Sequence, residues 1–472
     1  MEPKYIAAVE LGSANIKGTV AAVDGAGGIT VLAVEETPAA DSVRYGRVQN
    51  AREASVRIDE ILRRLENNPA VSPRHIHTIF VANGGRSLTS ATSEATVNQA
   101  ADAEVTQLTL ERLHREASYN LGTDRDVLEI APRRYFADNV EVKTILGSFG
   151  NSIRGEFTFL TCSPENLRNL KRVKATSHGQ DVRTEIITRL LPQAELALTD
   201  GERQIGCLLL DFGAQTTTLA VYRDGALQMA RTLPMGSQNI TRDLATGLSL
   251  TDEAAENLKI TKGQALNERA NIDAPDTATR EIINYTSARV GEIIANVVNT
   301  LTQAGFKPSD LPAGIVVCGR GARLNGFPET LEAQTKMKVR PATVSNAVRT
   351  ASPAIHTDEI FDLVALAAYA AAHTDTTCLT APVAADAPAT GGAAGTGAVA
   401  SRGQRPDTPA EDDPDLLKDD DLDQPENIND DSDDLPEPTG DPNTTRLNLL
   451  RRFKNWLKPE VDDGLDEEEE EE

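Results

Sequence analysis

The chain has 472 residues and a formal net charge of −25, with 25% charged and 4% aromatic residues. This length exceeds what one hydrophobic core organises, so two or more domains are predicted. No apolar leader and no run of about 18 apolar residues occurs, which argues against secretion and against a transmembrane helix. The four cysteines form no CxxC pair and fit a reducing cytoplasm.

Hydrophobic periodicity predicts the main elements in chain order. Residues 4–34 are expected to form strands, with a hairpin turn at Asp24–Gly28, and residues 76–81 a buried strand. A second set of strands is expected from residue 206. Helices are predicted at 50–66, 108–121, 167–177, 185–199, 237–268, 280–304 and 359–372.

Two glycine-bearing turns follow apolar strands that each end in an acid. In the first turn Glu10 precedes Gly12, and in the second Asp211 precedes Gly213. Backbone N–H groups in such turns suit phosphate, and a carboxylate beside them holds Mg²⁺ through water. Two such turns predict two related domains that close on one nucleotide.

A third turn lies in the sequence AGIVVCGRGARLNGF at 313–327. A buried strand is followed by Gly319 and Gly321, which carry no Cβ atom that would obstruct a flat ring. An adenine is therefore expected to lie against the backbone here.

The negative charge is concentrated towards the C-terminus. Residues 376–443 contain 17 acidic and 3 basic residues among Ala, Gly and Pro, without periodicity. Such a segment buries too little apolar surface to order itself and is predicted to be a disordered linker. No basic face occurs in the N-terminal part, which argues against nucleic-acid binding.

An amphipathic helix is predicted at 444–458, before Pro459. At about 100° per residue its apolar side chains fall on one stripe and its basic ones on the remaining arc, as in helices that lie in a membrane surface. Docking on a protein groove is the alternative. The stripe is Leu449, Leu450, Phe453, Trp456 and Leu457, and the basic residues are Arg451, Arg452, Lys454 and Lys458.

The three turns resemble, in order, the phosphate-1, phosphate-2 and adenosine motifs of the actin/Hsp70/sugar-kinase superfamily. Within it, residues 1–375 and the C-terminal helix resemble the FtsA family of bacterial cell-division proteins. The sequence departs from the family motifs at two positions. Ala214 stands where a second Gly is expected, and Arg320 separates two glycines that are usually adjacent. The resemblance rests on VELGSANIKG (9–18), FTFLTCSPENLRNL (157–170), LTDGERQIGCLLLDFGAQTTTLAVYRDGAL (198–227), AENLKITKGQAL (255–266) and the adenosine turn.

The resemblance implies an α/β actin-like ATPase fold of two related domains around a nucleotide cleft, followed by the acidic linker and the helix. Domain 1 is implied at 1–84 and 166–205, with an inserted FtsA-type small subdomain at 85–165. Domain 2 is implied at 206–240 and 301–350, with a small subdomain at 241–300, and a helix at 351–375 returns to domain 1. The linker is implied at 376–443, the membrane-targeting helix at 444–458 and an acidic tail at 459–472.

The predicted cofactors are ATP and Mg²⁺. Asp211 is expected to position Mg²⁺ and the attacking water, with Glu10 as the matching acid. Lys17 touches either a phosphate or the surface, and Glu256 with Lys259 at i, i+3 is either a ribose-side pair or a surface ion pair. No role is assigned to the histidines. The predicted nucleotide-binding residues are Gly12, Ser13, Ala14, Asn15, Lys17, Gly213, Ala214, Gln215, Thr216, Glu256, Lys259, Gly319, Arg320, Gly321 and Arg323.

The resemblance implies a peripheral scaffold on the cytoplasmic face of the inner membrane at the division site. It would bind ATP with at most slow hydrolysis, self-associate like actin, and anchor FtsZ to anionic lipid alongside other divisome proteins. FtsZ is expected to dock on 240–300, with Arg242, Lys259 and Arg289 as candidate contacts.

Two alternatives of the same fold remain open. A metabolite kinase needs an acid that serves as base for the substrate hydroxyl, and segment 185–199 offers none in a suitable position. A relative of pilus-assembly ATPases would lack the helix at 444–458.

Overall fold

A computed structural model of the chain describes residues 3–122, 124–267, 275–345 and 348–380. The strands are β1 (Lys4–Leu11), β2 (Asn15–Val23), β3 (Ile29–Pro38), β4 (Val43–Arg44), β5 (Arg47–Val48), β6 (Thr78–Asn83), β7 (Thr89–Asn98), β8 (Asp126–Ala137), β9 (Val140–Val142), β10 (Ser152–Cys162), β11 (Ala175–Ser177), β12 (Gln180–Thr188), β13 (Cys207–Phe212), β14 (Thr217–Arg223), β15 (Ala226–Leu233), β16 (Ile315–Cys318), β17 (Val339–Pro341) and β18 (Arg349–Thr350). The helices are α1 (Ala51–Glu66), α2 (Gln107–Tyr119), α3 (Pro164–Arg172), α4 (Leu190–Ala197), α5 (Asp200–Ile205), α6 (Ser237–Leu248), α7 (Asp252–Lys262), α8 (Thr277–Gln303), α9 (Phe327–Thr335) and α10 (Phe361–His373).

Two sheets repeat one strand arrangement. The first has the order β11-β12-β6-β1-β2-β3-β18, and the second contains the run β17-β16-β13-β14-β15. In each, three antiparallel strands follow one another along the chain, and the first of them pairs in parallel with a later strand, β6 or β16. The two glycine-bearing turns therefore occupy equivalent places, between β1 and β2 and between β13 and β14.

The first sheet packs against α1 and α10. Asn50 caps α1 by accepting a hydrogen bond from the Glu53 N–H, and Ile58, Ile61 and Leu65 recur at helical spacing and are fully buried. Helix α10 is apolar nearly all round and joins the same core, as a helix buried on several sides requires. The last predicted helix therefore returns to the first half of the fold.

The second sheet packs against the long helix α8. Val290, Ile294, Val297 and Leu301 form its buried stripe and share one core with the strands β13, β14 and β16. The helix predicted at 280–304 is confirmed, and its apolar stripe belongs to the core.

The region between β6 and α3 has its own small core. Strands β7, β10, β8 and β9 pair antiparallel, and α2 covers them. Leu113 of α2 and Phe157 and Phe159 of β10 are buried in this core. Strand β7 also joins β15 through one residue pair, Arg231 with Thr89, which extends the second sheet to nine strands. The exact domain bounds given above stay predictions.

Three predicted helices end differently. Residues 175–177 form β11, because the turn His178-Gly179, with φ of 50° and 76°, has the two positive φ values of a type I′ hairpin. The β-branched run ending at Thr188 is the strand β12 rather than the start of a helix. The helix predicted at 237–268 is two helices, because Ser249 adopts a left-handed conformation and Thr251 caps α7.

Within the described residues, no helix is both long and apolar enough to cross a membrane. The predicted disordered linker begins later than residue 376, because Cys378 is buried and its N–H donates to the Tyr5 carbonyl of β1 in the first sheet. Residues 381–443 of that linker, the amphipathic helix and the acidic tail lie outside the described residues.

Candidate functional site in the central cleft

The three predicted turns line one cavity of about 730 Å³ between the two sheets. Sixteen of the seventeen residues predicted to bind nucleotide or metal contribute to its wall. They are Glu10, Gly12, Ser13, Ala14, Asn15, Lys17, Asp211, Gly213, Ala214, Thr216, Glu256, Lys259, Gly319, Arg320, Gly321 and Arg323.

The base of the cleft holds two buried carboxylates, one from each half. Glu10 lies on β1 and Asp211 on β13, and both are nearly inaccessible to solvent. Arg189, between β12 and α4, reaches both acids, with its Nη1 3.0 Å from Glu10 Oε1 and its Nη2 2.5 Å from Asp211 Oδ2. One guanidinium thus connects the two halves of the fold.

The hairpin register explains why Lys17 faces the cleft. Lys17 is the direct cross-strand partner of Glu10 between β1 and β2, so the two side chains emerge on the same face. Lys17 Nζ lies 3.2 Å from Glu10 Oε2 and is buried. The structure therefore selects the cleft position for Lys17 over the surface.

Charges around the base shift two pKa values in opposite directions. Burial alone would raise the pKa of Glu10, but the nearby charges of Lys17 and Arg189 outweigh it and lower that pKa. Asp362, the first acid of α10, lines the same cavity. Burial, followed by the negative charge of Glu10, raises the pKa of Asp362 to about 6.

The glycines of the third turn have a packing reason in addition to the predicted one, which stays a prediction. Gly319 has φ of +84°, and a Cβ atom there would lie 2.4 Å from Asp211 Oδ1. A Cβ atom on Gly321 would lie 2.7 Å from the Phe212 carbonyl oxygen. The turn needs glycine to pack on the end of β13, next to the buried acid.

A tight turn between β4 and β5 connects the two glycine-bearing turns. The Gly46 N–H donates to the Ser13 hydroxyl over 2.7 Å, and the Tyr45 N–H donates to Gln215 Oε1 over 2.6 Å. Gln215 also donates from Nε2 to Gln238. Of the predicted residues, Gln215 thus lies beside the cavity wall and holds this connection.

Glu256 and Lys259 form one group with α6. Lys259 Nζ donates to Glu256 Oε2 over 2.7 Å, to Thr241 Oγ1 over 3.0 Å and to the Ser237 carbonyl over 3.3 Å. Lys259 is buried, so it faces the cleft. A partner on the outer surface cannot reach it, which corrects one of the three FtsZ contacts predicted above.

Two exposed ion pairs cross the mouth of the cleft. Arg320 Nη2 lies 2.8 Å from Glu36 Oε2 on β3, and Arg323 Nη1 lies 3.3 Å from Glu359 Oε1. Exposed pairs of this kind contribute about 0–1 kcal/mol each. They hold the mouth weakly.

Sequence reasoning missed Arg189, Asp362 and the Tyr45-Gly46 turn. Arg189 is the only charge in the run IITRLLPQ, and Asp362 the only one in FDLVALAAYAAA. A lone charge inside an apolar run is the signal that would have singled out both, because a buried charge needs a specific partner. The short turn carries no such signal.

Two sheets of equivalent strand order around a cleft that both halves line define a two-domain protein of the actin-like class. The solved PilM-PilN type IV pilus biogenesis complex has the same fold, with a TM-score of 0.53 and 18% identity over 77% of this chain and 96% of that one. The profile of the family described as Cell division protein FtsA matches residues 208–373.

Curated relatives extend this match towards the N-terminal half. The chain is 29% identical to the cell division protein FtsA of Porphyromonas gingivalis, over 68% of this chain and 69% of that protein. It is 27% identical to the FtsA of Pseudomonas aeruginosa, over 71% and 82%. The chain belongs to the FtsA family of actin-like cell-division proteins.

Replacing Arg189 by Met is expected to destabilise the fold by about 3–5 kcal/mol, because it leaves two buried carboxylates without their shared cation. Urea unfolding measures the change. Arg183→Met, on an exposed residue of the same strand β12, serves as control and is expected to change stability little. Adding Asp211→Asn to the Arg189 variant should recover part of the loss, and equal effects of both Met variants would contradict the assignment.

Asp362→Asn removes a charge but keeps an acceptor for the Gln193 Nε2–H, now 2.7 Å from Asp362 Oδ1. The pKa of Asp362 rises from 3.8 to about 6 on folding, so its contribution is present below pH 4 and is lost as the pH rises through 6. Relative to the Asn variant, the wild type should lose roughly 2–3 kcal/mol across this window. Urea unfolding at several pH values, with Asp181→Asn as control, tests this, and parallel curves would refute it.

Proposed function

We propose that this FtsA-family protein binds Mg-ATP in the central cleft, self-associates in an actin-like way, and links FtsZ to the cytoplasmic face of the membrane at the division site. The observation that carries the nucleotide part is the meeting of three turns and two buried acids in one cavity. Hydrolysis is at most slow in this proposal, and no further substrate is involved.

The residues at the base fit a magnesium-bound nucleotide. Carboxylate oxygens are the protein ligands that Mg²⁺ prefers, directly or through water. Within the described residues, the buried Oδ2 of Asp211 has no hydrogen-bond donor other than its ion-pair partner Arg189. A bound Mg²⁺ would neutralise charge on the phosphates of the nucleotide.

The chain's own side chains divide the remaining tasks. Glu10 and Asp211 would hold the magnesium, and Arg189 keeps the two acids, and thereby the two halves, at a fixed separation. The backbone of the two glycine-bearing turns would take the phosphates. Lys259 and Glu256 line the cleft from the second half and would face the ribose.

Asp211→Ala is expected to weaken Mg-ATP binding at least about tenfold, which corresponds to 1.4 kcal/mol, because the metal-facing carboxylate is lost. Calorimetric titration of the full chain measures this. Asp211→Asn repeats the test without a loss of volume, and the exposed Asp181→Ala is the matched control.

Unchanged affinity in both Asp211 variants would remove Asp211 from the site. If the wild type itself does not bind ATP, the nucleotide part of the proposal is wrong. The next variants would then replace Ala214 and Arg320, the two departures from the family motifs, by glycine.

The membrane part rests on the sequence of residues 444–458. Five apolar side chains share one stripe, and four basic ones occupy the remaining arc. The acidic segment 376–443 has an expected span of roughly 45 Å as a flexible chain. It would let the helix reach the bilayer while the cleft-bearing part binds a partner.

The double change Trp456→Ala and Leu457→Ala should cost a few kcal/mol of membrane binding, at about 25 cal/mol per Å² of apolar area. Sedimentation with anionic vesicles measures it. Asn448→Ala with Asn455→Ala, opposite the stripe, is the control and should bind like the wild type. Deleting Glu467–Glu472 should strengthen binding, most of all at low salt, because it removes charges that compete with lipid for the basic residues.

The same vesicles report on FtsZ. FtsZ is expected to sediment with them only when the wild-type chain is present, and not with the Trp456/Leu457 variant. Arg242 and Arg289 lie on the region expected to receive FtsZ, and Arg289 holds Asp243 through two hydrogen bonds of 2.6 Å and 2.8 Å. If the variant with Trp456→Ala and Leu457→Ala still sediments fully with the vesicles, the membrane-anchor proposal is wrong and the helix is a docking element for a protein instead.

A further inference from the structure

A second cluster of ligand-type side chains lies away from the cleft. Glu66 ends α1, His75 lies in the segment before β6, and His178 lies in the turn between β11 and β12. One oxygen or nitrogen ligand atom from each lies within 4.8 Å of the others. No sequence pattern pairs these two histidines, because the fold brings them together from positions far apart in the chain.

Glu66 is a buried carboxylate without a permanent cation. Its side chain is 5% exposed, and within the described residues no Lys or Arg forms an ion pair with it. It is also the last residue of α1, where the helix dipole disfavours a negative charge. Its environment therefore favours an additional positive charge.

Neighbouring groups fix the orientation of the carboxylate. Oε1 accepts the Ile76 N–H over 2.6 Å, and the Ser177 hydroxyl lies 2.9 Å and 2.8 Å from Oε1 and Oε2. The remaining contact of Oε2 is His178 Nε2 at 3.1 Å. Such outer contacts hold a metal-binding carboxylate in place and raise its affinity.

Both histidine backbones are held in place, and the two imidazole rings contact each other edge to face. His178 lies in the positive-φ turn with Gly179. The His75 N–H donates to the Thr380 hydroxyl over 3.2 Å, and the Thr380 N–H donates to the His75 carbonyl over 2.9 Å. The ring centroids are 4.4 Å apart, and both side chains are open to solvent.

We propose that Glu66, His75 and His178 bind a divalent transition metal of the zinc type, with solvent as the fourth ligand. Two imidazoles and one carboxylate are a common donor set for zinc, whereas hard cations prefer oxygen alone. Tetrahedral neighbours around zinc lie about 3.4 Å apart, so Glu66 and His178 already have suitable spacing and exposed side-chain rotation brings in His75.

Metal binding requires a change of tautomer at His178. Nε2 donates to the Glu66 carboxylate in the metal-free arrangement, because a carboxylate only accepts. On binding, solvent takes the proton from Nε2 and returns one to Nδ1, so the imidazole stays neutral and its Nε2 lone pair takes the metal. The metal then joins the end of α1, the β11–β12 turn and the segment at Thr380, near the start of the segment predicted as the acidic linker.

Calorimetry of the full chain with Zn²⁺ tests the proposal, in buffer with millimolar Ca²⁺ to occupy the carboxylates of the linker and tail. The wild type should bind one Zn²⁺, and His75→Ala and His178→Ala should each lower the affinity at least about tenfold. His356→Ala, an exposed histidine outside the cluster, should bind like the wild type.

Two further readouts do not depend on heat signals. Zn²⁺ should raise the melting temperature of the wild type and not that of His178→Ala, because a ligand stabilises only the state that binds it. Co²⁺ should give the absorption of a tetrahedral centre in the wild type alone. Lack of saturable binding, or equal affinity in the wild type and both cluster variants, overturns the proposal.

Discussion

At the base of the cleft, the buried guanidinium of Arg189 connects the two halves of the fold. Glu10 and Asp211 end equivalent strands of the two sheets, and their like charges are buried in one place. Two such charges repel unless a cation lies between them, and the planar fork of Arg189 contacts both at once. Because Arg189 follows β12 of the first half, the arrangement of the halves depends on where β12 ends.

The energies of the contacts differ from the base of the cleft to its mouth. Loss of a partner from a buried pair costs about 3–5 kcal/mol, whereas an exposed pair contributes about 0–1 kcal/mol. The pairs of Arg320 with Glu36 and of Arg323 with Glu359 are exposed. The cleft therefore opens most easily at its mouth while the base stays connected, which is the direction from which a nucleotide would enter.

Local patterns in the sequence predicted the parts of the site that the chain builds from neighbouring residues. Both glycine-bearing turns and the pair Glu256 with Lys259 depend on spacing within one hairpin or helix, whereas the place of Lys17 opposite Glu10 became clear only from the hairpin register. Arg189 and the cluster of His75 with His178 come from segments that only the tertiary fold brings together. The helix predicted at 167–177 is present but ends at Arg172, because the turn His178-Gly179 places residues 175–177 in a strand.

Helix α10 gives the base of the cleft a covalent path to the start of the linker. It begins beside Asp362, whose carboxyl lies in the field of Glu10, and it ends at His373. The chain then returns to the first sheet, where the Cys378 N–H donates to the Tyr5 carbonyl over 2.7 Å and Leu379 bridges to Ile76. The buried carboxyl at the base of the cleft and the first residues after His373 therefore lie at opposite ends of one buried helix.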